Sequence, residues 1–232
     1  MYTGADAPKR LTSLFGRMAS LSLLIFCGML FGRSANAAVI GHYEMCNGQG
    51  NASLESLVVS SGEHTAVTVF DLTAAELGTL DVLFVTNCDN FTFSNEYLTR
   101  LSSIENAVSN GMTLILYDRL VSGIEGLLPG GADMVAVRDL SHDDDLQLLA
   151  GTEFTAGAGL DKDLLDGGGY SAHGYVQHSS LPAGSVVYVS YEVDSDKAVT
   201  LHYPFGSGAV FYSTVPLDYY IGLASYQNFS DF

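Results

Sequence analysis

The chain has 232 residues, with 9 Lys and Arg against 26 Asp and Glu, and a formal net charge of −17 at neutral pH. That balance excludes nucleic acid as a partner, because phosphate contacts require Lys and Arg, and it disfavours docking on anionic lipid. It fits an acidic, solubilising surface, a salty medium or a partnership with divalent cations.

The chain opens with a positive segment (Lys9, Arg10, Arg17), followed by an apolar run over residues 21–31 that is short for a bilayer span. Ser34-Ala-Asn-Ala37 then offers small residues to a signal peptidase. Residues 1–37 read as a secretory signal, cleaved after Ala37 or one residue later; the alternative is an uncleaved anchor. Phe26 before Cys27 argues against lipoprotein processing. Four of the cationic residues (Lys9, Arg10, Arg17, Arg33) and only Asp6 of the acidic ones lie in this segment, so the remainder carries about −20. No later stretch is long and apolar enough to cross a membrane. The expected product is a single domain over 38–232, secreted, periplasmic or at the cell surface, with an unidentified extracellular ligand or protein as partner.

Residues 38–43 read as a first strand. Asn51 or Ser53 is placed to cap a helix over 54–60 that Gly62 ends. Residues 65–70, rich in β-branched side chains, form a second strand. Thr73 and Glu76 stand in capping-box spacing for a short helical turn to Gly78. Residues 81–86 are a third strand. Ser94 caps the longest helix, to 109, with Leu98, Leu101, Ile104 and Val108 as its apolar stripe and Gly111 just past its end. Residues 112–117 are the fourth strand. Strands alternating with helices predict an α/β domain with a mostly parallel sheet, and the usual order 2-1-3-4 sets the first strand beside the third. Cys46 and Cys88 then follow adjacent strands on one edge, and an even pair in an exported chain predicts a disulfide.

Beyond Asp118 the pattern changes. Residues 119–128 suggest a short helix ended by Pro129-Gly-Gly131, and 139–183, rich in Gly, Asp and Ser, read as an excursion over the sheet's carboxyl edge. Three β runs follow, 185–191, 198–203 and 209–213, separated by turns at Asp194-Ser-Asp196 and Gly206-Ser-Gly208, which predicts a β-meander. A helical tail over 218–224 is placed to pack back on the sheet.

Chemistry in parallel sheets sits past the carboxyl ends of strands; here those ends are Asn87-Cys88-Asp89 and Tyr117-Asp118-Arg119. His42, Glu44, Asp89 and Asp118 carry donors suited to Zn or a harder divalent ion, against the plain reading that edge loops are polar. His142-Asp143-Asp144-Asp145 and Asp161-Lys-Asp163-Leu-Leu-Asp166 offer oxygen ligands to Ca, against a solvated acidic loop; in the second, Asp166 is one position late for an EF-hand. Asp118-Arg119 is an internal ion pair or a ligand clamp. Cys88 with His42 or His173 as base is an alternative to the disulfide. Gly48-Gln-Gly50 lacks the full fingerprint of a phosphate turn and any Lys, so nucleotide binding is set aside. No cofactor is required by any motif.

The Asp81 strand and its turn, Asn110-Gly111-Met112 before the fourth strand, and the closing Gly206-Ser-Gly208-Ala-Val-Phe-Tyr-Ser213 hairpin resemble the class I glutamine amidotransferase-like superfamily, and the last of these resembles its trehalose-utilisation-type members. Leu165-Asp-Gly-Gly-Gly-Tyr-Ser-Ala-His-Gly174 and Ser213-Thr-Val-Pro-Leu-Asp-Tyr-Tyr220 resemble domains of large exported bacterial surface proteins. The resemblance implies a flavodoxin-like three-layer sandwich with a mostly parallel sheet and a C-terminal β-meander. It also implies where catalytic groups would stand. The nucleophilic cysteine's turn is Tyr117-Asp118-Arg119-Leu120, the oxyanion glycines' place is Asn87-Cys88-Asp89-Asn90, and the histidine's place is Thr214-Val-Pro-Leu-Asp218. None of the three holds the required residue. The expectation is an exported, non-catalytic binding or structural module; the alternative is a divergent carbohydrate or amide hydrolase using His173, Asp118, Arg119, Asp89 and His42, with or without metal.

Overall fold

The structure, a computed structural model, describes residues 37–46, 59, 62, 64–140, 146–149 and 171–220. These belong to a compact unit, Ala37–Phe232. The expected signal segment apart from Ala37, the helix over 54–60 apart from Val59, Gly48-Gln-Gly50, the two acidic runs near 142–145 and 161–166, and the tail beyond Tyr220 lie outside the described residues.

The β-branched and apolar runs form β1 (Val39–Glu44), β2 (Thr65–Thr68), β3 (Val82–Asn87) and β4 (Thr113–Asp118), in the spatial order β2-β1-β3-β4 with every pairing parallel. Beyond them lie β5 (Ala136–Arg138), β6 (Leu146–Leu148), β7 (Gly174–Gln177), β8 (Val186–Tyr191), β9 (Asp194–Phe205) and β10 (Gly208–Ser213). The last described strand, β10, inserts between β4 and β9, parallel to the former and antiparallel to the latter. All pairings beyond it are antiparallel: β8 and β9, β7 and β9, β5 and β7, β6 and β8.

This corrects the predicted flavodoxin-like three-layer sandwich with a mostly parallel sheet. The sheet is mixed and ten-stranded, and helix is sparse among the described residues: α1 (Ala74–Leu77), α2 (Asn95–Thr99), α3 (Leu101–Ser109) and α4 (Leu217–Tyr220). The error lay in 136–138, which was assigned no element, and in the excursion read over 139–183. There β5, β6 and β7 are strands of three or four residues, too short to show alternation in a Gly- and polar-rich stretch. They extend the sheet instead of looping over its edge. The three meander strands do pair in succession, β8-β9-β10.

Local chemistry explains the helices. Thr73 caps α1 by accepting from the Glu76 N–H at 3.3 Å, and Ser94 caps α2 by accepting from the Tyr97 N–H at 3.1 Å. The predicted long helix breaks at Arg100, where φ is −108°. The break turns the stripe, so Tyr97 is buried while Leu98 is 39% exposed. Gly111 takes φ 121° past the end of α3. The Gly206–Gly208 turn lies against that same helix end. A Cβ on Gly206 would meet the Ser109 backbone at 2.6 Å, and one on Gly208 would meet the Met112 carbonyl at 2.2 Å. The turn of β9 into β10 therefore admits only glycine at both places.

Strand parity divides the core. Leu83, Val85, Leu114, Leu116, Val210 and Tyr212 face Leu77, Tyr97, Ile104 and Val108 of the helices. Each such side chain withdrawn from water contributes about 1.5–3 kcal/mol. The opposite face carries Phe84, Tyr117, Phe211 and Tyr188, with ring centroids 5.4–6.0 Å apart from each ring to the next, and packs with Tyr191, Val215, Leu217 and Tyr220. No helix among the described residues is long and apolar enough to cross a membrane.

Candidate functional site

The carboxyl ends of β3 and β4 place Asn87 opposite Asp118, in register. Asp118 is fully buried. Its Oδ1 accepts from Asn87 Nδ2 at 2.9 Å and from the Leu120 N–H at 2.9 Å; its Oδ2 accepts from the Val121 N–H at 2.9 Å and from the Tyr212 hydroxyl at 3.2 Å. Four donors thus occupy one carboxylate. Burial pushes the Asp118 carboxyl above the usual range, and the four donors pull against it. Burial and the adjacent Asp118 also raise the Tyr212 hydroxyl well above its ordinary value.

The turn after β4 is strained. Val121, a buried β-branched residue, takes φ 65°, an arrangement that costs on the order of 1–3 kcal/mol. Asp118 holds it there through the Val121 N–H. The side chain displayed by this elbow is an isopropyl group packed in the core, not a nucleophile.

Arg119 points the other way. Its Nε lies 2.9 Å from Asp218 Oδ1 and its second terminal nitrogen 2.6 Å from Oδ2, a two-pronged pair across 99 residues. The guanidinium also sits 5.5 Å from the Tyr219 ring centroid. Burial raises the Asp218 carboxyl, opposed by Arg119. Through this pair α4 is fastened over the strand ends. The Arg119 carbonyl accepts from His173 Nδ1 at 2.8 Å, which puts a hydrogen on that nitrogen. Burial lowers the His173 pKa; the hydrogen bond to the Arg119 carbonyl opposes this, and the charges of Arg138 and Arg119 add to the lowering. Arg138 donates to the carbonyls of Arg119 and Leu120 and to Asn90 Oδ1.

The structure therefore brings Asp118, Arg119 and His173 together, with Asp218 and Arg138 joining them. Asp89 stands beside the group: its N–H reaches Asn87 Oδ1 at 3.2 Å, and its own Oδ1 accepts from the Phe91 N–H at 2.7 Å in a tight turn. His42 and Glu44 are separated from Asp118. They pair in register with Phe84 and Thr86, whereas Asp118 pairs with Asn87, so they project from the opposite face of the sheet. His42 packs edge-on against Phe84. Among the described residues no group of three His, Cys, Asp or Glu side chains is placed to hold a metal ion. Cys46 and Cys88 form a disulfide, with Cα atoms 5.8 Å apart, which accounts for the thiol that a Cys88 nucleophile would need.

Asp218 and Arg138 escaped sequence reading as site residues. Asp218 stands in Thr214-Val-Pro-Leu-Asp218 at the place expected of a histidine, and a lone acidic residue in an acidic chain gives no signal. Arg138 carried one: it is one of five cationic residues after Ala37, and such scarcity makes each of them a candidate for buried pairing. Clefts open elsewhere. One of 360 Å³ lies at the amino ends of β3 and β4, reaching Leu77, Asp81 and Asn106, and one of 240 Å³ lies between β7 and the start of β9.

No family model and no curated protein matches the chain. Among solved structures it is similar to a cytoplasmic protein from Salmonella typhimurium, at 16% identity and a TM-score of 0.51, over 84% of this chain and 95% of that one. That likeness is one of fold alone. An exo-β-1,4-mannosidase from an Opitutaceae bacterium matches at 11% identity and a TM-score of 0.49, over 90% of this chain, which spans about a third (36%) of that enzyme. A putative GMP synthase protein from Thermoplasma acidophilum matches at 11% identity and a TM-score of 0.47, over 84% of this chain and 92% of that one.

Proposed function

We propose that the protein is an exported, non-catalytic module that binds or scaffolds at the cell surface or in the extracellular space. The observation that supports this most is the state of the strand-end turn. Asp118 spends its four acceptor positions on Asn87, Leu120, Val121 and Tyr212, and Arg119 is bound to Asp218. Groups committed to internal partners in this way brace the sheet and are not presented to a substrate. The disulfide and the acidic composition fit export.

Two measurements test the proposal. Expressed in a bacterium with its own N-terminus, the protein is expected outside the cytoplasm, beginning at Ala38 or Val39 by N-terminal sequencing. Intact residues 1–37 on cytoplasmic protein would end the export reading. The purified protein is expected to show no turnover of nitrophenyl glycosides or amides that Asp118→Asn or His173→Gln abolishes. Turnover lost in both variants, or stoichiometric zinc by elemental analysis, would replace the non-catalytic reading with a hydrolase.

A further inference from the structure

Four cationic side chains stand among the described residues after Ala37, and three are consumed by the fold. Arg100 pairs with Glu96, Arg119 with Asp218, and Arg138 with carbonyls and Asn90. Lys197 is the exception: it makes no ion pair among the described residues. Its ammonium rests 4.8 Å from the Tyr175 ring centroid and 5.5 Å from that of Tyr191, and the side chain lines the 240 Å³ cleft.

The walls of this cleft contain no aliphatic side chain. Lys197 supplies donors only; Asp194 and Asp196 supply acceptors only; Gln177, Ser179 and His178 supply both. Tyr175 adds an aromatic wall. An apolar ligand meets one aromatic face, which Lys197 partly covers, and otherwise only charged and polar groups. A simple anion meets two carboxylates and a simple cation meets the ammonium. A neutral molecule dense in hydroxyl groups suits every wall, because each hydroxyl both donates and accepts. The cleft volume limits it to a unit about the size of one sugar ring.

We propose that the cleft between β7 and the β8–β9 turn binds a neutral sugar unit, with Lys197 and Gln177 donating to its hydroxyls and Asp194 and Asp196 accepting from them. This site is separate from the strand-end cluster, so it stands or falls independently of whether that cluster is catalytic.

The test is a two-dimensional NMR titration of the purified protein with the methyl glycosides of glucose, galactose and mannose, each to its solubility limit. Sodium acetate and tetramethylammonium chloride serve as the anionic and cationic probes. At least one glycoside is expected to shift the amides of Gln177, His178 and Lys197, and about tenfold less tightly in Gln177→Ala and Lys197→Gln, as loss of a hydrogen bond to a charged or polar wall implies. Gln177 is exposed and makes no core contact, so its variant keeps the fold even where a change at Lys197 disturbs the rings. No shift with any glycoside, shifts that both variants leave unchanged, or acetate or tetramethylammonium binding more tightly than every glycoside would each overturn the proposal.

Discussion

The protein holds two clusters of polar side chains, and they are built in opposite ways. Around Asp118 the groups lie inside the molecule, and each acceptor position is matched by a donor of the same chain. Around Lys197 the groups stand at a cleft, and the ammonium has rings for neighbours in place of a carboxylate. A buried polar group is stabilising only when it is satisfied, so the first cluster reports on folding. An open group tolerates an unmade bond because water fills it, so the second is available to a ligand. The strand ends attract attention by topology, but unused hydrogen-bonding capacity lies at the other cluster.

Measurements of stability can break this contrast. The largest effect is expected from Asp118→Ala, which strands two backbone N–H groups, the Asn87 amide and the Tyr212 hydroxyl. Urea unfolding should register a loss of about 3–5 kcal/mol. A loss under about 1 kcal/mol would mean that the cluster is not a brace. Replacing Cys46 by Ser opens a covalent link spanning 42 positions and should cost about 2–4 kcal/mol, with a matching fall in the wild-type protein once reductant is added. Asp218→Ala should cost about 2 kcal/mol, below the fully buried range because Arg119 keeps some access to water, and should loosen α4 in hydrogen exchange. Lys197→Ala, by contrast, should cost no more than about 0.5–1 kcal/mol, the worth of a cation over a ring. A larger loss there would place Lys197 among the bracing groups.

Acidity sharpens the same contrast. Burial raises the Asp118 carboxyl, so the folded chain keeps this proton to higher pH than the unfolded chain does. The associated stability is fully present below the ordinary aspartate range, near pH 3.9, and is lost as pH rises through the folded value. The stability of the wild type relative to Asp118→Asn should therefore decline as pH is raised from about 4. An advantage that grows with pH would show that the four donors outweigh burial.

Much of the parallel half was readable from the chain. β1 to β4 announce themselves as runs of branched and apolar residues bounded by turn formers, and Cys46 and Cys88 identify which strands are neighbours. The antiparallel extension was not, because three or four residues at β5, β6 and β7 cannot display a period. At the site, Asp118 and Arg119 could be located because a strand must end there. Their partners could not. Asp218 reaches Arg119 from 99 positions away, and no local pattern marks a residue whose role is created by tertiary approach. The placement of His42 and Glu44 failed for a different reason: proximity to a strand end says nothing of the face, and one step of register decides it.

The position of β10 has a consequence for synthesis. Until Gly208–Ser213 has left the ribosome, β4 has no neighbour on its outer side and β9 lacks its partner there. The nascent chain thus carries two half-sheets with bare edges, each able to pair with another copy. This short strand acts as a keystone: a chain interrupted shortly before residue 208 is expected to aggregate, whereas one carrying it can close into a single sheet.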